Sequence, residues 1–370
     1  STATALRDEG DDGRILLVGE EAEPPYDRPP LSKRRPAPPL AAVALAGEAE
    51  IAALGLELRL GVRATALDLP RKRLQLAGGE SLAWDACVLA TGSAPIALPG
   101  SDAPTFRSHA DALRFAAELA RQESLLVVGA GVLGCELAAL ARGAGAAVTV
   151  VDRLAAPMVD RLGPALAARL EMLHRGHGVA FRLGTGVAAL RRRADGGVEA
   201  ELEDGSRLQA GAAVVAIGCR PEVGWLAGSG LTLDDGVRCD ACCLAAPDVY
   251  AAGDCANWFN PRYGRRMRIE HRLNATEQGM AVAANLLGAG RPYDPIPFFW
   301  TDQYDAKIQV QGIVGADCET DVLLSEDDGL LVAYSRGGRI EGLLGWNRAR
   351  ALRQHRALIG QERRSLQALA

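Results

Sequence analysis

Three glycines in one short run carry the clearest chemical signal in this sequence. Residues 129–136 read GAGVLGCE, so Gly129, Gly131 and Gly134 stand in the spacing GxGxxG. An apolar stretch at 125–128 precedes them and a helix-like pattern follows. Asp152 closes the next apolar stretch, 146–151, about 20 residues further on. Each residue type has a physical reason to be there. Glycine permits the tight turn and lets the backbone approach a pyrophosphate. The N–H groups at a helix start attract phosphate oxygens, and an acid at the end of the second strand accepts bonds from ribose hydroxyls. The set predicts a dinucleotide site. Because an acid there repels a 2′-phosphate, NADH is expected over NADPH, although Arg153 beside it could soften the preference by pairing with the phosphate. Gly218, after the apolar run 213–217, is expected to line the same NAD site.

Other reactive side chains give weaker signals. The eight cysteines are scattered, and their one close pair, Cys239 and Cys242, lacks the second pair that a zinc site wants. The five histidines show no ligand spacing and no triad context, so none is assigned to chemistry. His174 and His177 are expected to cap or cover a surface turn.

The elements that must position the glycine loop follow from pattern. A helix over residues 2–9 and a strand over 14–18, ending at Gly19-Glu20, read as the second half of a nucleotide-binding βαβ unit. Its glycine turn is expected upstream of Ser1. Pro24, Pro25, Pro29, Pro30, Pro36, Pro38 and Pro39 mark a long irregular connection. Short strands are expected at 55–63 and 71–76, and an apolar strand at 84–90 ends at Thr91-Gly92. An alternating pair of strands flanks Asp204-Gly205. The run 248–254 is a strand ending in Gly253-Asp254, and a helix at 274–287 follows. Beyond Pro292, strands at 307–310, 322–324, 330–334 and 340–344 suggest an antiparallel sheet. A terminal helix is expected to bear Arg348, Arg350, Arg353 and Arg356.

Composition bounds the answer. A chain of 370 residues, 48% hydrophobic and 24% charged, can bury two or three domain cores. A formal net charge of −5 offers no global attraction for nucleic acid or anionic membranes. No apolar run approaches the roughly 20 residues that span a bilayer. The scattered thiols suit a reducing, cytoplasmic setting.

Four motifs in order carry a family resemblance. Residues 25–33 read PYDRPPLSK, and with GAGVLGCE (129–136), YAAGD (250–254) and FWTDQYDAKIQVQG (299–312) the chain resembles the ferredoxin and rubredoxin reductases. These are flavoproteins of the glutathione-reductase type with two dinucleotide-binding domains. The resemblance covers essentially the whole chain. It implies an α/β fold with two Rossmann-like domains and a small α+β C-terminal domain. The FAD-binding domain would take residues 1–104 and 225–291, the NAD-binding domain 105–224 and the interface domain 292–370. It also implies NADH-dependent reduction of a small [2Fe–2S] ferredoxin that supplies a monooxygenase or dioxygenase.

The same resemblance assigns roles. Glu20 would hold the adenosine ribose of FAD and Asp254 its ribityl chain, at the N-terminus of the following helix. Arg28, Ala64, Thr91, Gly92, Arg107 and Arg272 align with positions that contact FAD. Lys33 would lie beside flavin N5 and pair with Glu136, these two being the catalytic pair. A buried lysine without a carboxylate would be costly in any case. Trp300 would stand near the flavin on the partner-facing side. The alternative is a flavoprotein-like scaffold without turnover that binds partners or senses NADH. Disulfide chemistry is disfavoured, because the first cysteine is Cys87, on a strand. An acidic ferredoxin would need a local basic face. Two arginine clusters are candidates: Arg262, Arg265, Arg266, Arg268 and Arg272, and the four on the terminal helix.

Overall fold

The computed structural model describes residues 1–33, 37–326 and 328–368; Pro36 of the proline-rich connection lies outside the described residues. The chain divides into two compact units. One takes Ser1–Asp27, Leu40–Ala94 and Arg220–Pro297, the other Arg28–Pro39, Pro95–Cys219 and Phe298–Ala370.

The second unit is built around a parallel sheet. Ser124–Val128 lies between Ala147–Asp152 and Ala212–Val215, and Val179–Leu183 pairs on the outer side of Ala147–Asp152. The chain therefore moves outward from the central strand and then returns to its other side. That reversal is a topological switch point, and it falls where the glycine loop leaves the strand. Leu125 to Val128 are all buried, as expected of a strand covered on both faces. The alternating pair around Asp204-Gly205 forms as Val198–Leu202 against Arg207–Ala210, with Val187–Arg192 on the far side.

The C-terminal sheet has five antiparallel strands rather than the four expected. The extra one is Phe298–Gln303, whose leading aromatics also suit plain core. It pairs with Ala306–Gly312 through a two-residue turn at Tyr304-Asp305, where Tyr304 takes φ 56°. The terminal helix is also shorter than expected. It spans Ala349–Gln354, with Arg348 as its N-cap and Arg356 in a following 3₁₀ turn.

The first unit holds smaller sheets. Ile15–Gly19 pairs in parallel with Leu56–Leu60. Cys87–Leu89 pairs in parallel with Val249–Ala251, so both strands end on the same side, at Thr91-Gly92 and at Gly253-Asp254. Trp258, Val237, Val249, Leu89 and Val282 build the core beneath them. The expected helix forms as Arg272–Leu286, but it does not directly follow Asp254. The strands Ala256–Asn260 and Arg265–Met267 intervene, and the helix packs back so that Gln278 accepts the Gly253 N–H at 2.9 Å.

Candidate active site

The glycines of the loop do three different jobs. Gly129 has φ +107°, and a Cβ there would meet the Ala216 carbonyl oxygen at 2.3 Å. A Cβ on Gly134 would sit 1.9 Å from the Gly129 carbonyl oxygen, so the helix rests directly on the turn. A Cβ on Gly131 would meet nothing within 4 Å among the described residues. That glycine is the N-cap of the Val132–Gly143 helix and has no side-chain cap, so the helix start faces open space with its N–H groups unclaimed by a capping side chain. This is the arrangement a pyrophosphate requires.

Asp152 sits beside that space. Its carboxylate accepts the Ala130 N–H at 2.5 Å and the Leu154 N–H at 2.7 Å, bracing the loop and leaving lone pairs for a ribose. Arg153 turns to Glu203, whose carboxylate it meets at 2.5 and 3.3 Å. Glu203 is itself held by the Gly186 N–H at 3.1 Å. The ion pair lowers the Glu203 pKa and raises that of Arg153. Gly218 follows the strand beside the loop with φ +103°, and its carbonyl accepts the Ile96 N–H at 2.9 Å.

The glycine-loop helix carries Glu136, and the proline-rich segment brings Lys33 onto it as an ion pair. Glu136 is 4% exposed. Two further donors satisfy it: Ser32 Oγ at 2.5 Å on Oε2, and Thr301 Oγ1 at 2.7 Å on Oε1, the atom that Lys33 also meets. A buried carboxylate needs such partners, because an uncompensated charge in low dielectric costs several kcal/mol. Sequence reasoning placed Lys33 and Glu136 together and missed Ser32 and Thr301. In the same unit Arg28 donates to the Arg107 carbonyl at 3.1 Å. Trp300 stacks on Phe298, on the opposite face of its strand from Thr301.

The first unit gathers a second set. Glu20 lies just past the end of Ile15–Gly19, where ribose-binding acids of parallel sheets sit, and Arg63 pairs with it at 3.3 Å. Ser93 Oγ donates to Asp254 at 2.9 Å. Thr91 Oγ1 donates to the Glu222 carbonyl at 2.7 Å, and Gly92 accepts the Glu222 N–H at 3.0 Å. Ala64 opens the strand Ala64–Asp68. Arg272 pairs with Asp27 at 3.0 Å. The strand-end acid and the paired loops at 91–92 and 253–254 are the donor and acceptor set that a second dinucleotide wants.

Four of the thiols, those of Cys135, Cys239, Cys243 and Cys255, are buried. All eight cysteines are free. Burial pushes Cys87 up to about 11 and Cys243 up to about 12, and Cys135 rises further. A thiol held so far above neutrality is a poor nucleophile.

Comparison with known proteins agrees with this geometry. The model of the pyridine nucleotide-disulphide oxidoreductase family matches residues 1–279, and that of the reductase C-terminal family matches 298–370. The chain belongs to the pyridine nucleotide-disulphide oxidoreductase family. Within it, the chain is 38% identical to the ferredoxin–NAD(+) reductase component of the anthranilate 1,2-dioxygenase system of Burkholderia cepacia, over 97% of this chain and 90% of that protein. Its fold matches two solved structures. The ferredoxin reductase for the CYP199A2 system of Rhodopseudomonas palustris superposes with TM-score 0.91 at 29% identity, covering 99% of this chain and 93% of that one. The reductase in a covalent putidaredoxin reductase–putidaredoxin complex superposes with TM-score 0.92 at 31% identity, covering 99% and 92%. The mixed α/β fold with two dinucleotide-binding domains and a small C-terminal sheet is therefore that of the ferredoxin reductases of this family. Among the described residues no helix is long and apolar enough to cross a membrane.

Proposed function

We propose that this protein is an FAD-dependent oxidoreductase that passes electrons from NADH to a small [2Fe–2S] ferredoxin in the cytoplasm, supplying a monooxygenase or dioxygenase. One observation carries the reading: a single helix starts at the open glycine loop and, one turn later, bears the buried Glu136 that holds Lys33. Nucleotide grip and charged pair are thus rigidly linked. The FAD-binding domain takes residues 1–104 and 225–291, the NAD-binding domain 105–224 and the partner-facing domain 292–370.

The residues divide the work. Gly129, Gly131, Gly134 and Gly218 shape the NADH pyrophosphate site, and Asp152 takes the ribose. Glu20, Arg28, Ala64, Thr91, Gly92, Arg107, Asp254, Arg272 and Trp300 hold FAD. Bound FAD supplies the redox centre, accepting a hydride and releasing electrons singly. Lys33, fixed by Glu136, sets the charge at the reacting edge. The experiment that tests the whole reading is anaerobic: the purified yellow holoprotein, given NADH, should reduce a [2Fe–2S] ferredoxin catalytically. A protein that binds NADH and never reduces any acceptor would instead be the scaffold.

Coenzyme choice yields a first prediction. Because Glu203 holds Arg153, the guanidinium is drawn away from a 2′-phosphate. Glu203→Gln should raise kcat/KM for NADPH about fivefold, the scale of an exposed ion pair, and leave NADH unchanged. Steady-state kinetics with both coenzymes check this, and an unaltered NADPH value would show that the pair plays no part in selection.

Docking yields a second. In the first arginine cluster the guanidiniums are largely committed to their own unit: Arg262 to Asp294, Arg266 to the Cys239 and Asn257 carbonyls, Arg268 to Asp235 and Glu270, and Arg272 to Asp27. Arg348 likewise donates to the Glu326 carbonyl. Exposed Arg350, Arg353 and Arg356 have no partner among the described residues, and they form the basic face. Arg353→Glu should raise KM for ferredoxin about fivefold and not touch reduction of a neutral dye. Ferredoxin kinetics in the native protein should slow as salt rises. Arg266→Glu should lower stability instead. Salt-independent ferredoxin reduction would dismiss this face.

A further inference from the structure

Behind Glu136 runs a line of buried polar side chains whose hydrogen bonds can point only one way. Thr301 and Gln303 share one face of the strand Phe298–Gln303, and both are fully buried, as is His174 on the helix Pro164–Gly176. Thr301 Oγ1 lies 2.7 Å from Glu136, Gln303 Nε2 lies 3.1 Å from Thr301 Oγ1, and His174 Nε2 lies 2.6 Å from Gln303 Oε1.

The direction follows from chemistry alone. A carboxylate paired with an ammonium accepts and cannot donate, so the Thr301 hydroxyl must donate to it. That leaves the hydroxyl oxygen to accept, so the Gln303 amide nitrogen must face it. The Gln303 oxygen then faces His174 and must accept from an Nε2–H. His174 is thereby fixed as the Nε2–H tautomer, with Nδ1 as an unprotonated nitrogen. Nδ1 is buried and has no partner among the described residues. Protonating it would place an N–H where no acceptor waits. The ring's surroundings agree: Phe181 and Tyr304 meet it edge-on, and the Tyr304 hydroxyl is buried with no partner among the described residues. The charged or titratable groups around the ring are Tyr304; His177, stacked on Tyr304; Arg175, over Phe181; and Arg142 and Cys135, which act on Tyr304. Burial lowers the His174 pKa; the Gln303 hydrogen bond works the other way and raises it, and His177 lowers it.

We propose that Thr301, Gln303 and His174 are positioning residues: a one-way donor line, locked at its far end by the Nε2–H of a buried histidine, that fixes the Glu136 carboxylate and through it the Lys33 ammonium. The inference rests on Lys33 and Glu136 being the pair at the reacting edge. A chain of neutral donors aimed at one oxygen holds its orientation and adds no charge. It does not carry protons, because passing one through Gln303 would require an imidic acid.

The test uses holoprotein labelled with ¹⁵N-histidine, with His174→Gln identifying the His174 signals. The native protein should show His174 as a neutral Nε2–H tautomer throughout about pH 5–8, while an ordinary histidine titrates across that range. In Thr301→Val the Gln303 amide loses its acceptor and is free to turn, so the His174 tautomer should become mixed although nothing touching the ring has changed. The same variant should slow NADH-driven flavin reduction in rapid mixing about tenfold at unchanged NADH affinity, and Thr301→Ser should restore both signals. An imidazolium or an Nδ1–H tautomer in the native protein overturns the proposal. So does a Thr301→Val protein with native tautomer and native reduction rate. The tautomer readout needs neither NADH nor ferredoxin, so a failure of the donor line is distinguishable from a failure of the reductase reading.

Discussion

Lys33→Met should destabilise the protein by about 3 kcal/mol and slow flavin reduction by NADH about a hundredfold, whereas the double variant Lys33→Met/Glu136→Gln should recover much of the lost stability. The single change leaves Glu136 at 4% exposure with only the neutral donors Ser32 and Thr301. A buried carboxylate stripped of its cation carries most of its desolvation cost uncompensated. Neutralising it with glutamine removes that cost and keeps the volume. The reverse single change, Glu136→Gln, should cost less. The Lys33 side chain is 16% exposed, so its ammonium can reach water where Glu136 cannot. The order of effects is thus fixed by burial: the lysine variant suffers more than the glutamate variant, and the double less than the two together. Urea unfolding of all four proteins gives the coupling directly. Additivity within about 0.5 kcal/mol would mean that the two side chains do not interact. Rapid mixing supplies the kinetic half, since the double variant should regain stability and stay slow if Lys33 itself is needed at the reacting edge.

What the sequence reveals about this centre depends on how local each determinant is. The glycine loop is legible because much of its constraint is local: Gly129 has φ +107° and a Cβ on Gly134 would strike the Gly129 carbonyl, so residue identity reports backbone geometry. Pairing of Lys33 with Glu136, 103 residues apart, is legible only through resemblance. Thr301 and Gln303 left a fainter trace. Alternation along 298–303 puts them on one face, but nothing in the spacing says which face meets the glycine-loop helix. His174 was open to a better reading. With His177 and the flanking glycines it suggests a surface turn, and it is fully buried. Yet Leu166, Ala167, Leu170 and His174 fall on one helical stripe, and the period of 3.6 places the histidine inward with the leucines. The arginine clusters mislead for a different reason. Charge runs are visible in sequence, whereas whether a guanidinium is already spent on Asp235 or on the Cys239 carbonyl depends on strands far away in the chain.

Gly134→Ala and Gly131→Ala, three residues apart, should fail in opposite ways. At Gly134 a methyl group would sit 1.9 Å from the Gly129 carbonyl oxygen and 2.9 Å from its carbon, both backbone atoms of the turn. Neither can yield unless the helix lifts off the strand. That helix carries Glu136, Leu137 and Ala141 into the core, so the variant should lose about 3–5 kcal/mol, on the scale of severe overpacking, and accumulate as insoluble protein. At Gly131 the added methyl group meets no atom of the described residues within 4 Å, and the residue's φ of −73° suits any side chain. Gly131→Ala should therefore keep its thermal midpoint and its visible flavin spectrum. It should lose NADH affinity by about a hundredfold, because the methyl occupies the space and blocks the N–H groups that the pyrophosphate needs. Thermal unfolding and calorimetric titration of NADH into both proteins separate the two failures. Tight NADH binding by a folded Gly131→Ala protein would place the pyrophosphate elsewhere and remove the nucleotide from this loop. A stable, soluble Gly134→Ala protein would show that the helix does not rest on the turn.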